Sequence, residues 1–513
     1  MVKEHTLKNS IGIDAIFQYA GSTIQIFSGT IFYIIIVRMF SLPLVGVIAL
    51  FTALIGLFNI IFSFGLVTAA QHFTSYGIGK GEWQSVTSNF YKIIRFGTFF
   101  STMGLVTVFI LSPFIAKVFL HTVVYSGLVK ILGIVLFGNI VYGILNATLL
   151  GLQKFRLSAI INIFTWIAYY FGSIILSFIT HSLTYLIMGW IIGIFLGIFI
   201  DTVFIIIYIG IHKSSNKFLS SQELITYSFP LVISSLIGYG AVYVDRFIVA
   251  GLLSLSSLAI YNFSLLIASS LGFIIIPFNN MLMPKFSEMF GRDDRKSIRI
   301  NVRLSSLMLS AIYVPAALGI SALSPLLIKF FGSGIYETGA FPLSIIMFFS
   351  ATFVPQYVLY QAVASVRRTR IFIYMGLFSF IANLFLSYTL IPSFGIVGAA
   401  LGFSSVSVMV FTVLLYFALT EKIFDFDLVG HVKIWFSSLL MFFLLRIILI
   451  EFAYGSIFLP FLISIGVVIY VILIRYLYLF QGENQEFLLS LFPSNFIRTR
   501  KLISIVFRTK PGV

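Results

Sequence analysis

Asp245 and Arg246 stand side by side in an apolar run, residues 224–250, that is long enough to cross a lipid bilayer. A charge at the centre of a membrane helix costs about 2.5–3.5 kcal/mol on insertion scales, so both side chains need compensation or a task. Two readings stand. The pair can neutralise itself as a structural element, or Arg246 can turn its planar fork of donors toward a phosphate, whose geometry it matches. Ser234 and Gly238 share the face of Asp245 at helical spacing, and Pro230 lies near one end of the run. An earlier run, 11–38, carries Asp14, Gln18, Gly21, Gln25 and Gly29. At about 100° per residue these fall on one stripe, which must face a bundle or a wet cavity. Arg38 ends that run, where it lines the cavity or snorkels to the outer surface. The candidate ligand-binding residues are therefore Arg246, Asp245, Gln18, Gln25 and Arg38. Asp201, alone in another apolar run, and Asp14 are the candidates for holding a coupling ion, Na+ or H+. A hydrogen-bonded structural role is the alternative for Asp201, and an interfacial position facing cytoplasmic lysines is the alternative for Asp14.

Composition says what carries these residues. Of 513 residues 60% are hydrophobic and 9% charged, against roughly 25% charged in a soluble domain. A span needs about 20 apolar residues, and inside lipid every backbone group must be satisfied within its own segment, so such runs read as helices. Spans are predicted near 11–38, 43–70, 93–113, 127–150, 158–179, 183–210, 224–250, 256–283, 303–325, 340–364, 371–392, 396–419, 432–452 and 456–477. The fold class is thus all-α integral membrane, with about fourteen transmembrane helices. With the N-terminus inside, the connections after even-numbered spans and the C-terminus hold most of the 32 Lys and Arg. This asymmetry predicts a multi-pass protein of the cell membrane with both termini cytoplasmic. It also accounts for the net charge of +16 through orientation and anionic lipid, without nucleic acid.

The chain repeats itself. LSPFIAKVF, 111–119, returns as LSPLLIKFF, 323–331, and near that spacing Ser41-Leu42 matches Ser254-Leu255 and Gln153-Lys154-Phe155-Arg156 matches Arg367-Arg368-Thr369-Arg370. An even number of spans separates the copies, so the repeat is parallel. It predicts an N-terminal six-helix lobe, 1–215, a C-terminal six-helix lobe, 220–425, helices 13 and 14 within 430–480, and a cytoplasmic basic tail, 481–513. Two such lobes suit alternating access, with a ligand between them near the midplane.

Other chemistry finds little support. There is no cysteine, so disulfides, thiolate metal sites and cysteine nucleophiles are excluded. Glycine-rich stretches at 79–81 and 332–339 lack the GK[ST] ending of a phosphate-binding loop. Asp425-Phe426-Asp427 has the DxD form that can hold a metal and a sugar nucleotide, yet no domain surrounds it. Six scattered histidines offer no zinc site. No catalytic or metal-ligating constellation is expected, and the chain is read as a non-enzyme.

With two six-helix lobes, LSPxxxKxF after the third helix of each, and YVDRFIVAGLLSLSSLAIYNFSLLIA followed by MLMPKFSEMFGRDD, the chain resembles the polysaccharide flippases. These belong to the multidrug/oligosaccharidyl-lipid/polysaccharide exporter superfamily. The resemblance covers residues 10–420 and is strongest over spans 7 and 8, where Asp245, Arg246, Gly251, Tyr261, Pro284 and Lys285 carry the pattern. It implies a flippase that moves a polyprenyl or dolichyl diphosphate-linked oligosaccharide from the cytoplasmic to the outer leaflet. Its partners would be the lipid-linked oligosaccharide and membrane lipids; a monomer without cofactor, apart from a coupling ion, is expected. Asp201 and Asp245 keep a second reading open, a cation-coupled exporter of drugs or other small molecules.

Overall fold

The computed structural model describes residues 2–210, 219–365, 370–452 and 455–479, with side chains from residue 17 onward except 19, 277–280, 452 and 456. Asp14, as a side chain, and the tail 481–513 therefore lie outside the described part. Where the chain is described it is helical, with a few 3-10 turns and no strand.

Contacts divide the chain into two compact units, Met1–Ala259 and Ile260–Val513. The first contains α1 (Val2–Met39), α2 (Leu42–Ser63), α3 (Leu66–Gly79), α4 (Trp83–Phe119), α5 (Ser126–Gly151), α6 (Phe155–Thr180), α7 (Leu183–Ile209) and α8 (Ser221–Leu252). The cut falls within α9 (Leu255–Ser269). The second unit continues with α10 (Gly272–Gly291), α11 (Arg295–Ala322), α12 (Ser324–Phe331), α13 (Ala340–Thr352), α14 (Pro355–Ser365), α15 (Arg370–Thr420), α16 (Leu428–Phe452) and α17 (Leu459–Tyr476). This cut comes later than the boundary of the sequence repeat because α8 packs on α2, α3 and α4.

Thirteen of the described helical segments are long and apolar enough to cross a membrane. One of them, α15, is two helices joined at Gly395, whose φ of 57° and ψ of −135° break the helical path. Its parts, 370–394 and 396–420, each exceed the roughly 20 residues a span needs. Counted this way the described residues make the fourteen passes expected. Their outer surface also suits lipid: Phe99, Phe114, Phe199 and Phe385 are 63–67% exposed, an arrangement that water would penalise over so wide an apolar area.

The repeat is visible in local structure. Ser112 donates to Phe109 O at 2.8 Å, and Ser324 donates to Ser321 O at 3.0 Å, one turn back in each copy of the LSP motif. Lys117 and Lys329 then occupy the last turns of α4 and α12, where a cation complements the helix dipole. The motif is a helix ending in both places. The turn between α6 and α7 at His181, φ 50°, has its counterpart at Gly395. Three spans expected to be continuous are interrupted. The second span of each repeat is divided, into α2 and α3 at Phe64 and Gly65 and into α9 and α10 at Ser270 and Leu271, while span 10 breaks into α13 and α14. Gly65 has φ 70°, and a Cβ there would lie 2.8 Å from Ser228 O of α8, so both backbone conformation and close approach call for glycine.

Candidate functional site

Along α8, Ser234, Ser235, Gly238 and Val242 form an exposed stripe at helical spacing. Arg246 closes it. Its Nη1 donates to Val242 O at 2.6 Å, folding the guanidinium back along the helix. The guanidinium carbon lies 4.2 Å from the centre of the Tyr243 ring, and Tyr243 stacks on Tyr239 at 4.3 Å with the planes 4° apart. Tyr239 in turn donates its hydroxyl to Ala53 O of α2 at 2.6 Å. The ladder from Arg246 through Tyr243 and Tyr239 to α2 thus fixes a cation at the edge of an open, small-residue face. Asp245 is fully buried and 3.6 Å from Arg246 Nη1, so the two charges compensate each other while the guanidinium remains about a tenth exposed.

The stripe of the first span turns toward protein. Gln18 Nε2 donates to Phe155 O at the start of α6, 2.6 Å away. A Cβ added at Gly21 would touch Ala159, and one at Gly29 would touch the Tyr170 hydroxyl, both on α6. Phe32 continues this seam with its ring 5.2 Å from that of Tyr170. Gln25 is half-buried and Arg38 is exposed at the end of α1. The small residues of α1 therefore serve its packing on α6, and Gln18 is engaged there as well.

Asp201 faces a different polar group, built by α5, α6 and α7. On α7 the glycines Gly189, Gly193 and Gly197 recur every fourth residue, and Asp201 is the next step of the same stripe. A Cβ at Gly189 or Gly193 would lie 2.4 Å from backbone atoms of Ser173 or Tyr169 on α6, so the helices touch through their backbones. That contact directs Asp201 inward, fully buried. Around it, Tyr142 donates to Asn162 Oδ1 at 2.5 Å, and Asn146 Oδ1 accepts from Ser158 at 3.0 Å and Asn162 Nδ2 at 3.2 Å. Asn146 is the hydrogen-bonding neighbour of Asp201. Even so, neither carboxylate oxygen, nor Asn146 Nδ2, nor Thr165 Oγ1 reaches full hydrogen-bond geometry with a described residue. Such a group is costly to bury as an anion unless a proton or a cation joins it.

Three further placements bear on chemistry. Asp427 accepts from Gly430 N at 2.8 Å as the cap of α16, while Asp425 pairs with Arg303 at 3.7 Å, so the DxD run is occupied by helix capping and an ion pair. Arg446 in α16 donates to Ser321 O at 3.4 Å near the C-terminal end of α11, where a cation is favoured. Among the described residues no group of three His, Asp or Glu is gathered closely enough to hold a metal ion.

A family profile for polysaccharide biosynthesis proteins matches residues 35–337. No curated protein is a match for the chain. Among solved structures, the lipid II flippase MurJ in an inward closed conformation superposes with a TM-score of 0.69 at 17% identity, covering 90% of this chain and 99% of that one. An inward-facing multidrug resistance MATE family transporter of the MOP superfamily gives 0.63 at 10% identity over 80% of this chain and 98% of its own. A MATE transporter from Vibrio cholerae, VcmN, gives 0.56 at 14% identity over 82% and 99%. At these identities the likeness establishes the fold, and it is the fold of flippases and exporters. The profile spans more than half of the chain, so this multi-pass membrane protein belongs to the polysaccharide biosynthesis protein family.

Proposed function

We propose that the chain is a flippase that carries a polyprenyl or dolichyl diphosphate-linked oligosaccharide from the cytoplasmic to the outer leaflet of the cell membrane by alternating access. Family membership supports a role in polysaccharide synthesis, and the fold shared with a lipid II flippase supports a lipid-linked cargo. The observation that carries the reading is the Arg246 guanidinium at the end of the exposed α8 stripe. A diphosphate head needs a fixed cation on its way through an apolar layer, and a guanidinium preorganised by stacking recognises it without first paying to be ordered. The isoprenoid tail can stay in lipid throughout. Asp201, buried without full hydrogen bonding, is the proposed site of a coupling Na+ or H+; the same group favours the second reading, a cation-coupled exporter.

The test is reconstitution in vesicles containing a lipid-linked oligosaccharide, with access of the sugar from the opposite leaflet as readout. Protein-dependent acceleration is expected. No acceleration together with efflux of dyes or drugs would replace the flippase by the exporter.

A further inference from the structure

A groove of about 660 Å3 runs beside α4 and the first turn of α8, lined by Tyr91, Lys92, Arg95, Phe96, Phe99 and Ser221. It lies apart from the α8 stripe and from Asp201. Its charge is all of one sign, since no carboxylate is among its described lining residues. One wall is fixed to the other: Lys92 Nζ donates to Leu219 O at 2.5 Å, and Leu219 N donates to Asn89 Oδ1 at 3.1 Å. Lys92 keeps further N–H groups beyond that bond, and Arg95, one turn on, is exposed.

The second unit handles the same kind of helix start differently. On α11, Arg295 pairs with Glu421 at 3.3 Å and Arg303 with Asp425 at 3.7 Å. Among the described residues no carboxylate pairs with Lys92 or Arg95 of α4. The groove is also graded along the helix. At 37 residues α4 is about 55 Å long, well beyond the roughly 30 Å of hydrocarbon, and Gln84, Asn89, Lys92 and Arg95 make its N-terminal end the polar one, suited to lie outside the apolar layer. Tyr91, Lys92 and Arg95 come first, and Phe96 and Phe99 follow toward the apolar part of the span. Phosphate-binding groups above aromatic ones match a phospholipid, with its head at the cations and its acyl chains along the phenylalanines.

We propose that this groove binds the phosphate headgroup of an anionic phospholipid. The site does not depend on which cargo the chain carries. The test uses the full-length protein, with lipid retention followed by native mass spectrometry during titration with phosphatidylglycerol, phosphatidylcholine or inorganic phosphate. Wild type should retain phosphatidylglycerol in preference to phosphatidylcholine. The double variant Lys92→Ala with Arg95→Ala should bind it roughly thirtyfold more weakly, as expected for losing two basic groups near an anionic surface. Lys92→Arg with Arg95→Lys should retain binding, which separates loss of charge from loss of fold. Lys296→Ala with Arg299→Ala removes equal charge from α11 and should leave binding unchanged. An equal loss in that control, or displacement of the lipid by millimolar inorganic phosphate, would overturn the proposal.

Discussion

Asp201 of α7 lies against Asn146 of α5 with both of its carboxylate oxygens short of full hydrogen-bond geometry. Asn146 accepts from Ser158 and Asn162 through its carbonyl oxygen, which leaves its Nδ2 as the group that faces the Asp201 carboxylate. A fully buried carboxylate among neutral amide and hydroxyl groups is costly as an anion, which is the physical ground for the coupling role proposed for it. Asp201→Asn preserves shape and removes the exchangeable charge. The variant should accumulate in the membrane as wild type does, while transport in vesicles falls by roughly tenfold or more and no longer responds to a Na+ or proton gradient. Wild-type transport with an unchanged ion response in the variant would end the coupling role.

The contact that aims Asp201 inward makes its own prediction. A Cβ at Gly193 would lie 2.4 Å from Tyr169 N, whereas one at Gly251 has nothing within 4 Å. Gly193→Val should destabilise the packing of α6 on α7 by about 1–3 kcal/mol, the usual cost of overfilling a packed interface. Gly251→Ala should leave thermal unfolding in detergent where it was. Equal melting of the two variants would mean that the glycine stripe does not set the spacing of these helices.

Much of the fold was legible in sequence because membrane insertion is governed by length, hydropathy and basic charge, all of which a sequence displays. The repeat was legible through LSPFIAKVF and LSPLLIKFF, whose serines make the same bond in both copies. The interruptions were not. Phe64 with φ 49° is an apolar residue in a left-handed conformation that only its surroundings enforce. The site was less legible, since which way a stripe faces depends on its neighbours: Gln18, Gly21 and Gly29 of α1 lie on α6, while the polar surroundings of Asp201 come from two other helices. A signal for the latter existed, glycine every fourth residue from 189 to 197 followed by an aspartate at the next step. Arg446 carries no such signal, because α16 lies outside the repeat and has no counterpart to compare it with. Tyr239 and Tyr243 were indistinguishable from ordinary membrane aromatics until their stacking on Arg246 was seen.

At the start of α11, Asp294 accepts from Ser297 N at 3.0 Å, and its hydrogen bonds with Ser297 hold its carboxyl below the usual carboxylate range. A carboxylate whose folded pKa is depressed stabilises the fold above its unfolded value, about 3.9. That contribution fades as pH falls through the lower, folded value. Protection of the Ser297 amide from hydrogen exchange, corrected for intrinsic rate, should therefore drop in that acid window. In Asp294→Asn, which caps without titrating, the drop should vanish; its persistence would assign the effect to another group.

Arg246 and Asp245 allow the two readings of a membrane ion pair to be separated. If the guanidinium meets the cargo's diphosphate, Arg246→Ala should lower flipping by about tenfold or more, the scale of a lost hydrogen bond to a charged group, while accumulation in the membrane falls less. Exchanging the charges, Asp245→Arg with Arg246→Asp, should not restore transport, because the cation would leave Tyr243 and the edge of the exposed stripe. A structural pair behaves in the opposite way: the alanine variant fails to accumulate and the exchange rescues it. Tyr243→Leu sharpens the distinction, since it removes the surface that orients the guanidinium and leaves the ion pair with Asp245 intact. Under the cargo-binding reading it should lower transport with both charges in place.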